Sequence, residues 1–191
     1  MNLPAYKTEI QTFTYADYLN WPDDERWELI DGVAYDMSPA PSREHQRISG
    51  ELFKQIAVFL TGKKCEAYFA PFDVRLPREE DDDEDQIIDV VQPDIVVVCD
   101  PAKLDSRGCK SGPDFVIEII SPATASKDQI KKVVLYERSK VKEYWIVHPS
   151  DKIITVRLLG KYDIPKIYEG KGELQVVSLP GLTIDLNEVF R

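Results

Sequence analysis

Two acidic residues stand where the sequence otherwise predicts buried β-strands. Glu118 interrupts the apolar run FVIEII, and Asp94 follows Pro93 and directly precedes the run IVVV. Because side chains alternate along a strand, Glu118 shares a face with Val116 and Ile120. An ionised carboxylate in such surroundings is costly, so we expect each acid to be protonated, paired with a cation or bound to a metal ion.

Two carboxylates that enter neighbouring central strands are expected to converge at one end of a sheet. Magnesium is a hard cation that proteins hold with few carboxylates, leaving its other positions to water or phosphate oxygens. The pair Asp94 and Glu118 therefore favours a Mg²⁺ site. In the alternative interpretation, Glu118 pairs with a buried lysine or with backbone donors, and Asp94 only caps the start of its strand.

The segment TASKDQIKKVVLYERS is predicted to form a helix that supplies a third component of this site. Asp128, Lys132 and Tyr136 recur every four residues and so lie on one stripe, which could face the carboxylates. A lysine ammonium there would stabilise the charge that develops on a phosphate during hydrolysis. Equally, Asp128 and Lys132 could form an exposed ion pair that contributes only about 0.3 kcal/mol. The residues predicted to point inward are Ile130, Val133 and Val134.

Other patterns predict the elements that must position these residues. Before Asp94, a short helix is predicted from the capping box of Thr14 and Asp17 to Pro22. A hairpin around Asp31 and Gly32 is predicted to pair residues 27–30 with 33–37. A long helix is then predicted to begin at its cap, Ser42, and to end near Gly62. EAYFAPFDVRLP, VVQPDIVVVCD, PDFVIEIIS and EYWIVHP follow as strand-like runs, and short strands and a last helical segment complete the chain. This order predicts an α+β fold with a mixed sheet flanked by helices.

Composition limits the size and the setting of this fold. With 191 residues, 43% of them hydrophobic, we expect a single domain over 1–191, and no apolar run is long enough to cross a bilayer. We therefore expect a cytoplasmic protein that does not associate with membranes. Three cysteines without C-x-x-C spacing are expected to be reduced thiols.

The net charge of -10 argues against generic affinity for nucleic acid. Part of this charge lies in the block EEDDDED, Glu79 to Asp85, which is typical of a solvated, mobile loop. A metal-binding loop is the less favoured interpretation, since the block lacks the spaced ligands and the glycine of a calcium loop.

Several motifs together resemble the Uma-two family of putative restriction endonucleases, a bacterial family of the PD-(D/E)XK nuclease superfamily. The motifs are WELIDG, MSPAPSREHQRI, APFDVRL, VQPDIVVV, PDFVIEIISPAT, the spacing of Asp128, Lys132 and Tyr136, and EYWIVHP, and the match runs from about residue 13 to about residue 158. The resemblance implies a restriction-endonuclease-like core of helix, three strands, helix and strand over about 42–148, with extra strands at both ends. It also implies a nuclease that depends on Mg²⁺, with Mn²⁺ as a substitute, and that hydrolyses phosphodiester bonds of DNA.

The resemblance also assigns residues. Asp94 matches the first metal-binding aspartate of the superfamily, Glu118 matches its second acid, and Glu28 matches a further acidic position that helps to hold metal. The superfamily lysine normally stands two residues after the second acid, where this sequence has Ile120. In this family Lys132 takes over its place, with Lys131 or Lys127 as the fallback.

Roles outside this set follow less directly. Asp128 and Tyr136 are expected to support the site, and His45, in the motif EHQ, is expected either to touch substrate or metal or only to cap its helix. Arg43 and Arg47, with Lys127 and Lys131, would make the site locally basic, and a homodimer would join two such surfaces. The competing hypothesis is a catalytically inactive nuclease fold kept as a binding or structural module, which accounts for Ile120 and for the negative charge. A hydrolase of smaller phosphate esters is a third hypothesis.

Overall fold

The computed structural model describes residues 11–22, 24–37, 40–79, 82–120 and 128–191.

The first elements of the chain follow from local sequence signals. The turn between the first two strands has positive φ at Asp31 (53°) and Gly32 (74°), as a two-residue hairpin of this kind requires. Ser42 accepts a hydrogen bond from the backbone N–H of His45 and so begins the long helix. The helices are α1 (Tyr15–Tyr18), α2 (Arg43–Leu60), α3 (Asp128–Arg138) and α4 (Leu186–Val189).

Fourteen strands are present in the described ranges, and twelve of them form two six-stranded sheets. The first sheet has the order β2-β1-β5-β4-β8-β7, and the central sheet has the order β12-β11-β10-β9-β6-β3. The strands are β1 (Trp27–Ile30), β2 (Val33–Asp36), β3 (Glu66–Phe69), β4 (Val74–Arg75), β5 (Val90–Val91), β6 (Ile95–Val98), β7 (Leu104–Asp105), β8 (Gly108–Cys109), β9 (Phe115–Ile119), β10 (Glu143–His148), β11 (Ile153–Leu158), β12 (Lys166–Glu169), β13 (Glu173–Gln175) and β14 (Thr183–Asp185). The last two form a separate hairpin.

The central sheet is covered on both faces. Ile48, Leu52 and Ile56 of α2 pack on one face together with the β13–β14 hairpin and α4. On the other face, α3 and part of the first sheet pack together around a second cluster. The predicted order of helix, three strands, helix and strand is confirmed as α2, β3, β6, β9, α3 and β10, and these four strands are neighbours in the central sheet. The α+β class is confirmed with it, although the strands divide into several sheets.

Two strand-like runs each divide at a proline. EAYFAPFDVRLP supplies β3 to the central sheet and β4 to the first sheet, and VVQPDIVVV supplies β5 and β6 in the same way. Proline has no N–H for a sheet hydrogen bond, so Pro71 and Pro93 interrupt the pairing where the chain passes between sheets. The same prolines therefore connect the two layers.

The cysteine prediction is wrong for two of the three residues. Cys65 and Cys99 form a disulfide, and Cys109 is a free, buried thiol. The bonded cysteines flank β3 and β6 just beyond the paired residues Glu66 and Val98. Strand pairing brings them together across 34 residues of sequence, which their spacing in the chain does not indicate.

The acidic block makes several local contacts where the structure describes it. Asp82 accepts hydrogen bonds from the backbone N–H groups of Arg78 and Glu79. The next residues form a short 3₁₀ turn, Glu84–Gln86, and Glu84 pairs with the buried guanidinium of Arg75. Apart from Glu84, the described residues of the block are exposed, as expected of a solvated loop, and the prediction that the loop is mobile stays a prediction. Among the described helices, none combines the length and the apolar character needed to cross a membrane.

Candidate active site

Strand register brings the two predicted acids together. β6 and β9 are antiparallel, and Ile95 is the partner of Ile117. One step further along this register, Asp94 stands opposite Glu118, and opposite residues of an antiparallel pair point to the same face. Asp94 also accepts a hydrogen bond from the backbone N–H of Ile119 at 2.7 Å. The two carboxylates therefore lie side by side at one end of the central sheet.

Lys132 lies directly against Glu118. Its Nζ is 2.9 Å from Glu118 Oε1 and 2.8 Å from Glu28 Oε1. Lys132 comes from α3, Glu118 from β9 and Glu28 from β1 of the first sheet, so the ammonium joins three elements. The predicted approach of Lys132 to Glu118 is thus present, while Ile120 packs with the apolar cluster beneath α3. Ile120 is apolar and cannot supply a cation, so the cation beside Glu118 is that of Lys132.

The apolar residues of α3 are not arranged as predicted. Ile130 and Val134 are exposed, and only Val133 packs partly against the core. The buried face instead carries Leu135 and Tyr136 together with Lys132. The helix turns Lys132 inward because the carboxylates of Glu118 and Glu28 require a buried cation.

Burial and mutual charge set the protonation of this group. Burial raises the pKa of Glu118 to about 7; Lys132 opposes this shift, while the charges of Glu28 and Asp94 add to it. Burial alone would lower the pKa of Lys132, but Glu118 and Glu28 outweigh it and raise the pKa well above its ordinary value. Lys132 is accordingly a permanent cation, and Glu118 is an acid that exchanges its proton near neutral pH in the absence of metal.

Tyr136, one helical turn after Lys132, completes the environment of Glu118. Its hydroxyl donates a hydrogen bond to Glu118 Oε1 at 2.7 Å, and burial followed by the charge of Glu118 raises its pKa well above the ordinary value. Glu118 Oε1 therefore receives two donors. Within the described part of the chain, no side chain or backbone group donates to the other oxygen, Oε2.

His45 reaches the site from the first turn of α2. Its Nε2 lies 3.2 Å from Asp94 Oδ2, the oxygen that also accepts from Ile119. Burial alone would lower the pKa of His45, but the hydrogen bond and the charge of Asp94 outweigh it, so the pKa is raised. The sequence predicts that His45 either touches substrate or metal or only caps its helix. In the structure it contacts Asp94, a predicted metal-binding residue, and Ser42 is the residue that caps α2.

The remaining predicted residues lie at the edge of the site or outside the described ranges. Lys131 contacts the hydroxyl and the ring of Tyr35, and Arg43 is exposed at the start of α2. Arg47 is turned away, since its Nη1 donates to the carbonyl of Val189. α3 begins at Asp128, whose side chain is not described, and Lys127 lies outside the described residues.

Two residues near the site escaped the sequence analysis. Tyr35 is the cross-strand partner of Glu28, and the hairpin register predicted around Asp31 could have identified it. Gln92 donates its backbone N–H to Glu28 Oε1 at 2.9 Å, and its side-chain oxygen accepts from Arg26. Gln92 precedes Pro93, but no local sequence pattern indicates that its backbone contacts the carboxylate of Glu28 on β1.

The free oxygens of the two acids suit a hard cation. Asp94 uses Oδ2 and Glu118 uses Oε1 for the hydrogen bonds described above, and no described residue donates to Asp94 Oδ1 or Glu118 Oε2. Carboxylate oxygens are the ligands that Mg²⁺ prefers. Across the described residues, no cluster of three or more His, Cys, Asp or Glu side chains is arranged to hold a metal ion. A magnesium ion here would therefore have two protein carboxylates and would take water or phosphate oxygens as its other ligands.

Comparisons with known proteins agree with this architecture. A crystal structure of a putative nuclease belonging to DUF820 from Anabaena variabilis superposes with a TM-score of 0.74, covering 93% of this chain and 97% of that one at 18% identity, a level that shows a shared fold alone. An uncharacterized protein of Synechocystis sp. strain PCC 6803 is 26% identical over 182 residues, which are 92% of this chain and 90% of that protein.

The model of one protein family matches residues 15–187, which include every element from α1 to the first residues of α4 and every described acid of the site. Its description is "putative restriction endonuclease". The chain therefore belongs to the Uma2 family of putative restriction endonucleases.

Proposed function

We propose that this protein is a Mg²⁺-dependent endonuclease that hydrolyses phosphodiester bonds of DNA. The observation that carries the proposal is the position of the Lys132 ammonium, 2.9 Å from Glu118, beside an aspartate that strand register places opposite Glu118. This is the set of groups that metal-assisted phosphodiester hydrolysis needs: carboxylates for the metal and a fixed cation for the developing charge. Family membership supports the same reaction class.

Each residue has one role in this proposal. Asp94 and Glu118 hold Mg²⁺, or Mn²⁺ in its place, through the oxygens that no described residue uses. The metal, when bound, polarises the phosphate and lowers the pKa of a coordinated water. Lys132 orients that water and stabilises the charge that develops on the phosphate, because its ammonium is already fixed beside Glu118.

Glu28 and Tyr136 hold the catalytic groups in place. The sequence predicts Glu28 as a third metal ligand, but no three described acids are grouped to hold a metal ion, so we assign Glu28 to Lys132, which its Oε1 contacts together with the backbone N–H of Gln92. Tyr136 fixes the rotamer of Glu118. Asp128, at the start of α3, keeps the supporting role that its spacing predicts.

The proposal extends to the substrate and the assembly. Lys131, with Tyr35, and Arg43 would contact DNA phosphates at the mouth of the site, as would Lys127 by its place in the sequence. A cytoplasmic location gives access to DNA, and a homodimer would present one site to each strand of a duplex.

Calorimetric titration of Mg²⁺ and Mn²⁺, followed by nicking of supercoiled plasmid, tests the proposal. Glu118→Gln should lose both metal binding and nicking, because the amide cannot replace the anionic ligand. Lys132→Met should keep metal binding but nick about 100-fold more slowly, the usual effect of removing one group that stabilises transition-state charge. Labelled RNA in the same assay distinguishes the two classes of polynucleotide.

The matched control is Glu51→Gln. Glu51 is also buried and paired with a lysine, with Lys54 Nζ at 2.6 Å, but it lies on α2 away from the site. It should bind metal and nick as the wild type does. Wild-type protein that neither binds metal nor nicks DNA would contradict the proposal and favour the inactive binding module.

A further inference from the structure

His45 contacts Asp94, one of the two acids proposed to bind the metal ion. We infer that His45 is a positioning residue that locks the Asp94 carboxylate in the orientation required for metal binding. Its consequence for catalysis rests on the function proposed above. The orientation itself is a property of the metal-free protein and can be measured separately.

The carboxylate of Asp94 lies where the pairing of β6 with β9 has just ended. Ile95 is the last residue of β6 at this end that pairs with β9, so the backbone N–H of Ile119 has no strand partner on that side. Asp94 Oδ2 accepts this N–H at 2.7 Å. One backbone donor fixes the position of one oxygen but still allows the carboxylate to rotate about it.

The second donor removes this rotation. His45 Nε2 lies 3.2 Å from the same oxygen, and it approaches from α2, whereas Ile119 belongs to β9. An ionised carboxylate only accepts hydrogen bonds, so Nε2 must carry the hydrogen. With both donors on Oδ2, Oδ1 accepts from no described residue and is the oxygen available to a metal ion.

Among the described side chains, the imidazole makes its hydrogen bond to Asp94, and the backbone of Ile119 also interacts with the ring. Its other nitrogen, Nδ1, is buried and has no hydrogen-bond partner there. A buried polar atom without a partner lowers stability, so a purely structural residue at this position would be better apolar. The backbone that carries the ring is held in place, because Ser42 accepts the N–H of His45 and Ile48 of the next turn lies in the core. A half-buried ring on a packed helix, hydrogen-bonded to Asp94, is the arrangement expected of a positioning residue.

Two amide variants separate this role from a general effect on folding. In His45→Gln the side-chain N–H₂ extends about as far as Nε2 and can still reach Asp94, whereas His45→Asn has the same chemistry but is one methylene shorter. We expect His45→Asn to weaken Mg²⁺ binding in calorimetry by about 10-fold to 100-fold, the usual cost of losing a hydrogen bond to a metal-binding residue. His45→Gln should restore most of the affinity. Gln55→Asn shortens an amide further along α2, where it is bonded to the backbone of Asp185, and is the control that should bind as the wild type does.

A second measurement needs no metal. Amide hydrogen exchange at Ile119 reports on its bond to Asp94, and we expect it to accelerate in His45→Asn but not in His45→Gln. If wild-type protein binds no metal while Ile119 responds in this way, the positioning role stands and the proposed function fails. If wild-type protein binds metal while both variants match it in affinity and in Ile119 exchange, the inference is wrong and the proposed function stands.

Discussion

At the scale of single residues, Glu118 makes the stability of the metal-free protein depend on pH. Its folded pKa of about 7 lies above the ordinary value of 4.5 because burial disfavours the charged form. A raised pKa adds stability that is fully present below the unfolded pKa and is lost as the pH rises through the folded one. The wild-type free energy of unfolding should therefore fall between pH 5 and pH 8 by up to about 3 kcal/mol more than that of Glu118→Gln.

Urea denaturation of both proteins at several pH values, with chelator present, measures this difference. Comparing the two proteins cancels the contributions of groups that both retain, such as His148. Parallel profiles for wild type and Glu118→Gln would show that Glu118 is already ionised throughout this range, and the assigned burial of its charge would be wrong.

Residues related by local periodicity were the most predictable part of the site. The spacing of Lys132 and Tyr136 placed both on one stripe, and the alternation of β9 separated Glu118 from its apolar neighbours; the structure shows both. The contact of His45 with Asp94 could not be predicted, because it joins a helix to a strand 49 positions later. Such contacts depend on how helices and strands pack against one another, and local sequence patterns carry no information about this packing.

At the scale of elements, α3 must hold Lys132 in place, and its far end is fixed by a buried acid. Asp89 is fully buried, accepts the backbone N–H of Asp31 at 2.7 Å and pairs with Arg138 at the end of α3 and with Arg78. Arg138 also pairs with Asp31. These contacts tie α3 to the β1–β2 turn, the hairpin that carries Glu28.

Asp89→Ala should therefore destabilise the protein and loosen α3. Removing one member of a buried ion pair typically costs about 3 kcal/mol or more, and the partial exposure of both arginines places this case near about 2 to 3 kcal/mol. Urea denaturation gives the free energy of unfolding. The control is Glu188→Ala, which removes an exposed pair with Arg191 and should change stability by less than about 0.5 kcal/mol. Equal effects in both variants would mean that Asp89 does not anchor α3.

The inward face of α3 shows where element prediction fails. Its apolar residues Ile130 and Val134 suggested one face, but the buried face follows the needs of Glu118 and Glu28 on other strands. Helix amphipathicity assumes an apolar partner surface. Where the partner surface carries carboxylates, the face of the helix that carries a cation, here Lys132, is the buried one.

At the scale of the whole molecule, the division into sheets was hidden by continuous apolar runs. Both faces of β6 and β9 are buried, so their sequences show no alternation that would reveal their neighbours. The pairing of β3 with β6 within the central sheet then brings together residues that are far apart in sequence, such as the disulfide-bonded Cys65 and Cys99. The class and core order were nevertheless predictable, since each core element has its own local signal.

Net charge is the whole-molecule property that bears most on the proposed substrate. A chain with a net charge of -10 gains little from nonspecific attraction to DNA, so binding should depend on a few cations near the site. With Arg43, Lys131 and Lys127 as phosphate contacts, the logarithm of the association constant should fall with the logarithm of salt concentration with a slope of about -2 to -3. Fluorescence anisotropy with labelled duplex, in chelator to prevent cleavage, measures this slope.

The two ends of α2 provide the matched variants for this measurement. Arg43 begins the helix beside the site, whereas Lys63 follows its far end, where its ammonium lies over the ring of Phe59. Arg43→Ala should make the slope shallower by about 1, since one phosphate contact is lost, and Lys63→Ala should leave it unchanged. An equal change in both variants would show that DNA contacts the helix along its length rather than at the carboxylates. Because both changes alter the net charge equally, only the position of the lost cation distinguishes them.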